Sequence, residues 1–282
     1  MTPAATTLVA TDLDRTLVHS DRAAGPDVPG ELLCLERRQG VPTASLTRRT
    51  AATLAALARR ATWVPATTRS VAEFRRLDLG PSIGVTPRYA VCASGGVLLV
   101  DGEPDRAWAS RVRHLLAAAA PIPEIADLLA RHLELLPEGR TGVVRDADGV
   151  LLVVRVGALP GPGRLDVLAA ECGARGWRVA SYGEKVHLLP AALGKSTAVA
   201  EIRARVGATR LLAAGDSPLD ADLLLAADAG IQPADGALHA EGWHAAHVAV
   251  TSGTGLRAGE EIADWLLVRC SRDAPGNVLG YP

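Results

Sequence analysis

The sequence predicts an α/β protein, a doubly wound parallel sheet with an inserted α+β domain, and three observations carry that reading. Short, apolar, β-branched runs alternate with Ala/Leu-rich helical segments over the first hundred residues, the rhythm of a parallel sheet covered by helices. The middle of the chain breaks this rhythm with segments that read as antiparallel pairs. After them the alternation resumes to a final helix.

Taken in order, residues 6–11 (TTLVAT) read as a buried strand followed by acidic and turn residues. A Pro/Gly-rich stretch, 23–30, precedes two extended pieces, 31–37 and 41–46, which the Gln39-Gly40 dipeptide joins as a hairpin. Thr47 is placed to cap a helix over 48–60. A second buried strand over 63–67 and a short helix over 70–77 follow. Residues 89–92 and 97–100 read as strands joined at Ser94-Gly95-Gly96. The middle contains helices near 108–120 and 124–135, strands at 143–145 and 150–156 about an Asp148-Gly149 turn, and a linker at 157–163. A helix over 164–175 then leads to a strand pair, 177–181 and 185–189. The closing alternation runs helix 196–206, strand 210–214, helix 221–227, strand 230–232, helix 237–246, strand 248–251 and helix 256–268, with a loose tail from 271. This places the core in residues 1–104 and 184–282 and the inserted domain in 105–183, with hinges near 102–104 and 181–184.

Composition narrows the function classes. The 282 residues carry 30 basic against 31 acidic side chains, a net charge of −1, which argues against a nucleic-acid binder. No stretch reaches the roughly 18 unbroken apolar residues of a membrane helix. Residues 1–4 lack the basic start and apolar block of a signal peptide. The four cysteines are scattered without a C-x-x-C pair, against a disulfide scaffold or a cysteine zinc site. The expectation is a soluble cytoplasmic protein. Of the basic residues only Lys185 and Lys195 are lysines, so in this Arg-biased chain a lysine raises a question, and at Lys195 it favours a required compact ammonium.

Four segments at predicted strand ends carry chemistry. Asp12-Leu13-Asp14-Arg15-Thr16 follows the first strand, where ligands bind in open parallel sheets. Its paired carboxylates suit metal binding or divided nucleophile and acid/base roles, or else an Asp-rich turn. Thr67-Thr68-Arg69 offers a hydroxyl and a guanidinium for a phosphate. Lys195 opens a helix, and Gly215-Asp216-Ser217-Pro218-Leu219-Asp220 follows another strand, where acidic helix capping is the alternative reading. Together, four carboxylates, one hydroxyl and one ammonium at one end of one sheet outline a magnesium-and-phosphate site. A P-loop is excluded, because Leu189 stands where that motif needs glycine before Gly194-Lys195-Ser196. His239, His244 and His247 read as a solvated face rather than a metal site.

These motifs, in this order, resemble the haloacid dehalogenase (HAD) superfamily, in its branch of Cof-type and sugar-phosphate phosphatases. That pattern is D-x-D-G-T, T/S-G-R, K-G-x-A-L and G-D-S/G-x-N-D. Here Arg15, Thr68 and Ser196 replace glycines and Leu219 replaces the asparagine. The first motif and the adjoining hairpin also resemble HAD-like proteins of bacterial tellurium-resistance gene clusters. The resemblance implies a Rossmann-like, HAD-like core with a C2-type cap. It implies Asp12 as nucleophile, Asp14 as acid and base, Thr67 and Lys195 on the phosphoryl oxygens, and Mg²⁺ held by Asp12, Asp14, Asp216 and Asp220. Thr68, Arg69 and Lys185 are the expected substrate contacts. The implied activity is hydrolysis of a small phosphorylated metabolite, a sugar phosphate or nucleotide-like ester. The alternatives are a phosphotransferase or mutase, or a non-catalytic protein that binds a metabolite or partner. Neither substrate identity nor oligomeric state is specified by the sequence.

Overall fold

The computed structural model describes residues 6–134, 143–156 and 162–271. The linker residues 157–161 and the tail beyond 271 lie outside them.

The chain opens with β1 (Thr7–Thr11), the hairpin β2 (Leu32–Arg38) and β3 (Val41–Thr47), then α1 (Arg48–Ala58) and β4 (Thr62–Pro65). The hairpin turn has Gln39 and Gly40 both at positive φ (50° and 80°), the backbone a two-residue turn between twisted strands requires. Thr47 caps α1, its hydroxyl accepting from the Thr50 amide at 3.0 Å. Two short helices, α2 (Val71–Arg75) and α3 (Leu79–Ile83), precede β5 (Tyr89–Cys92), β6 (Val97–Val100) and β7 (Glu103–Pro104). Only one helix is expected from the sequence between residues 62 and 89; Asp78, Gly80 and Pro81 hide the second.

Next come α4 (Arg106–Leu115), α5 (Ile122–Glu134), β8 (Arg145–Ala147), β9 (Leu151–Arg155), α6 (Pro162–Gly173), β10 (Trp177–Tyr182) and β11 (Lys185–Pro190). The chain closes with α7 (Lys195–Val206), β12 (Arg210–Ala214), α8 (Ala221–Ala226), β13 (Ala229–Gln232), α9 (Ala237–Ala240), β14 (Val248–Val250) and α10 (Gly255–Ser271). The α9 helix is shorter than its apolar pattern suggests, since Gly242 at φ 78° ends the segment.

The central sheet is parallel, with strand order β14-β13-β12-β1-β4. A bridge between Ala66 and Val91 carries it on toward β5. Leu8, Ala10, Leu211 and Ala213 enter one buried layer, and Val9, Leu212 and Ala214 enter the other. Period-2 strands buried on both faces are what a doubly wound sheet demands. The strand order reverses between β1 and β12, so the loops after these two strands flank the topological switch point.

A second, antiparallel sheet has the order β10-β11-β9-β8. Its residues also alternate. Leu152, Val154, Trp177, Val186 and Leu188 pack against α5 and α6, while Leu151, Val153, Ala180, Tyr182 and Leu189 pack toward the parallel core. The expected boundary at 183/184 falls at the turn of the β10–β11 hairpin, inside this sheet, because β11 pairs with both β10 and β9 through Leu188. At the other end, α4 rests on the core: Trp108 is buried there and its Nε1 donates to Gly95 O at 3.0 Å. Asp105 and Arg111 pair with Arg205 and Glu201 of α7.

Candidate active site

The loops after β1 and β12 bring the acidic motifs together. The Asp12 amide donates to Ala214 O at 2.9 Å, which ties the first motif to the end of β12. Lys195 is the first residue of α7, and its neighbour Gly194 lies so close to Gly95 (φ 102°) that a Cβ at Gly95 would strike the Gly194 carbonyl. That approach sets the start of α7 against the β5–β6 turn and aims Lys195 inward. The Lys195 ammonium donates to Asp12 Oδ1 at 2.6 Å and to Asp220 Oδ1 at 2.5 Å. Asp220 Oδ2 accepts from the Asp216 and Ser217 amides (3.2 and 3.0 Å) and the Ser217 hydroxyl (2.8 Å). Thr16 Oγ1 donates to Asp12 Oδ2 at 3.3 Å. Carboxylate oxygens of Asp12, Asp216 and Asp220 lie within 4.8 Å of one another. All three are buried, and Lys195 is entirely so.

The charge in this cluster is unbalanced: three carboxylates face one ammonium. Burial pushes Asp12 up to about 7, against the pull of Lys195, and the nearby Asp220 and Asp14 push the same way. Asp216 is raised well above its ordinary value by burial and by Asp12 and Asp220. Burial works against the Lys195 charge, but Asp12 and Asp220 outweigh it and hold the ammonium protonated. Asp216 Oδ2 is buried with no hydrogen-bond partner. An orphaned carboxylate oxygen beside surplus negative charge, in an all-oxygen donor set, fits a hard divalent cation.

The remaining expected residues stand around this cluster in two groups. Thr67 is fully buried beside the bridge to β5, its hydroxyl accepting from the Arg69 amide at 3.2 Å. Asp14 is half-exposed and held by Arg69, whose Nε and Nη2 donate to its two oxygens at 2.6 and 2.7 Å. The third guanidinium nitrogen, Nη1, donates to Glu36 at 2.9 Å. Arg69 therefore spends its donors on two carboxylates of the chain itself. Thr68 lines a cleft of about 260 Å³ between the core and the antiparallel sheet, opposite Arg145 and Val153. Lys185 begins β11, in register with Arg155 and on the core-facing side of the sheet, with its ammonium disfavoured by burial.

Several residues at the site are not legible as such from the sequence. Tyr182 and His187 stack in parallel, with centroids 4.9 Å apart, on the same sheet face. Burial raises the Tyr182 phenol above its ordinary value, and the charges of Asp216, Asp12 and Asp220 add to that, which places the ring by the acidic cluster. Thr16, Ser217 and Glu36 complete the hydrogen-bonding frame. The departures from the family pattern have local consequences. Arg15 sits at φ 67°, the left-handed backbone that glycine adopts freely. Leu219 is buried in the apolar layer, and Ser196 donates from its hydroxyl to Asp222 at 2.6 Å.

A parallel core with an inserted antiparallel sheet facing a carboxylate–lysine cluster at the switch point is the architecture of HAD-superfamily phosphatases, and this chain has that fold. The sucrose-phosphatase of Synechocystis sp. PCC6803, solved with sucrose and phosphate, superposes with a TM-score of 0.63 at 16% identity, over 94% of this chain and 98% of that one. The C-terminal domain of the C. albicans trehalose-6-phosphate phosphatase gives 0.59 at 13% identity, over 94% and 93%. A phosphatase of the haloalkanoate (HAD) enzyme superfamily from Bacteroides thetaiotaomicron gives 0.61 at 14%, over 93% and 95%. No protein-family model and no curated protein matches the sequence, so the likeness is one of fold. Among the described residues no helix is long and apolar enough to cross a membrane.

Proposed function

We propose that the protein is a cytoplasmic, Mg²⁺-dependent phosphatase that hydrolyses a small phosphorylated metabolite, a sugar phosphate or nucleotide-like ester, through an aspartyl phosphate on Asp12. The observation that carries this reading is the buried contact of Asp12, Asp216, Asp220 and Lys195 at the switch point of a HAD-type fold.

Asp12, the Asp14 carbonyl and Asp216 would hold the magnesium ion, with Asp220 in support. The bound ion supplies positive charge that lets a carboxylate approach an anionic phosphate and stabilises the charge of the transition state. Lys195 adds a second, fixed positive charge against Asp12 and orients that carboxylate toward the phosphorus. Asp12 attacks in line, and Asp14 gives a proton to the departing oxygen. Asp14 then takes a proton from the water that cleaves the acyl phosphate. Thr67 donates to a phosphoryl oxygen, and Thr68 and Lys185 contact the substrate around it, while Arg69, the third expected contact, holds Asp14 instead. The cap, expected over 105–183 between core segments 1–104 and 184–282, would on this reading extend through β11 to residue 190, and its sheet would close over the substrate and exclude water.

Asp12→Asn is the direct test. It removes the nucleophile but keeps the shape of the side chain, so hydrolysis of an aryl phosphate with magnesium should fall to background while the melting profile stays cooperative. Undiminished turnover would sink the mechanism. Arg15 and Leu219, which stand in place of a glycine and an asparagine, favour a second reading as a non-catalytic binder. Retained metabolite binding without turnover across a broad phosphate panel selects that one, and phosphate recovered on an acceptor other than water selects a transferase.

A further inference from the structure

We propose that Glu36, on the β2–β3 hairpin, is a positioning residue that sets the Asp14 carboxylate through Arg69; the inference rests on the phosphatase reading above. Glu36 lies outside every motif that the family pattern contains, yet its side chain is only 3% exposed. One oxygen accepts from Arg69 Nη1 at 2.9 Å, and the other accepts from Arg76 Nε at 2.9 Å and Arg38 Nε at 3.3 Å. Arg69, itself 13% exposed, turns its remaining edge to Asp14 in a two-point fork. The Asp14 side chain keeps 43% of its exposure, so it is gripped on one flank and open on the other.

A guanidinium is planar and rigid. Anchoring one terminal nitrogen and the fork at once fixes its plane, and with it the plane of the carboxylate that it grips. The anchor is itself tied to neighbouring segments. The hairpin is clamped to the loop that carries Asp14 by reciprocal backbone bonds between His19 and Ser45, both 2.8 Å. Its other strand is held by the Asp78 amide, which donates to Leu35 O at 2.8 Å. Arg38 and Arg76 balance the Glu36 charge, so Glu36 holds Arg69 without withdrawing it from Asp14. A Leu at position 36 keeps much of the side-chain volume but accepts from none of the three arginines. Arg69 is then free to swing, and Asp14 with it.

The step that depends on this geometry is proton donation to the oxygen that leaves as the P–O bond breaks. An alkyl alcohol needs that proton, whereas nitrophenolate leaves without it. The measurement is kcat/KM, which reports events up to formation of the aspartyl phosphate, for p-nitrophenyl phosphate and for a hexose 6-phosphate, both with magnesium. Glu36→Leu should lower the hexose phosphate value about tenfold or more relative to the aryl value. Arg69→Lys, which keeps the charge but loses the fork, should do the same and serves if the first variant does not fold. Equal loss on both esters, or no loss, in a folded variant overturns the positioning role and leaves the phosphatase reading intact. A wild-type protein that turns over neither ester overturns both.

Discussion

A lysine without solvent exposure, in contact with two buried carboxylates, is costly to assemble and more costly to break. Lys195→Met should destabilise the protein by about 3–5 kcal/mol in denaturant unfolding without metal, because it leaves three carboxylates within one small volume and no cation. Asp12→Asn removes a charge from the surplus side and should cost less; the reverse order would show that the ammonium does not balance this cluster. At position 15 the backbone is strained, and Arg15→Gly should raise stability by up to about 1 kcal/mol, relief of left-handed strain being partly offset by glycine's entropy. Buried histidines and buried carboxylates act on the pH dependence with opposite signs: Asp12 and Asp216, both raised by burial, lose their contribution as pH rises above about 4. Burial lowers His19 to about 4 and His187 to about 3, from an ordinary 6.5. Their contribution is therefore fully present above about 6.5 and is lost as pH falls toward those values, at about 1.4 kcal/mol per pH unit for each histidine. Glu36 acts lower: burial opposes its charge, but hydrogen bonds from Arg76 and Arg69 bring it to about 2, so its contribution is lost only as pH falls from 4.5 through 2. Equilibrium unfolding at pH 7, 5.5 and 4, compared between the wild type and His187→Gln, reads the His187 contribution as a difference in slope, with that of His19 remaining. Asp12, Asp216, Asp220 and Lys195 were legible because each follows a strand or opens a helix, and because a second lysine is the only other one in the chain. Glu36 was not, since its meaning comes from Arg69, thirty-three positions away and on another strand end.

At the scale of elements, the site depends on how closely separate segments approach. Gly95→Ala puts a methyl group against the Gly194 carbonyl in a backbone that L-residues resist. It should cost about 2 kcal/mol and lower turnover, since α7 must retreat and take Lys195 with it. A variant that keeps both stability and kcat would show that this approach is slack. The parallel strands and their helices were readable from β-branched runs and Ala/Leu periodicity, and the hairpin from Gln39-Gly40. The edges of the inserted sheet were not. Residues 185–190 form a short apolar run that fits a core strand and a cap strand equally well, and only pairing with β9 and β10 decides between them. Likewise α4 carries the tryptophan that anchors it to Gly95, a choice of packing partner that periodicity cannot express.

Across the whole molecule, a net charge of −1 offers no broad field, so any attraction for the anionic substrate proposed above must be local. Magnesium at about a hundred times its dissociation constant should therefore stabilise the protein by about 2.7 kcal/mol, read as a shift in thermal or denaturant unfolding. Asp216→Asn should abolish that shift, and chelator should reverse it in the wild type. If the shift survives in Asp216→Asn, the ion binds elsewhere. The antiparallel sheet has a consequence of another kind. Its odd-numbered positions along β11 face the parallel core, and its even-numbered positions are sealed against α5 and α6. On the proposed reading, lineages descending from such a protein can exchange Lys185 without disturbing the packing on the far side of the sheet. Selectivity, if that position sets it as proposed, is free to drift while foldability is inherited unchanged.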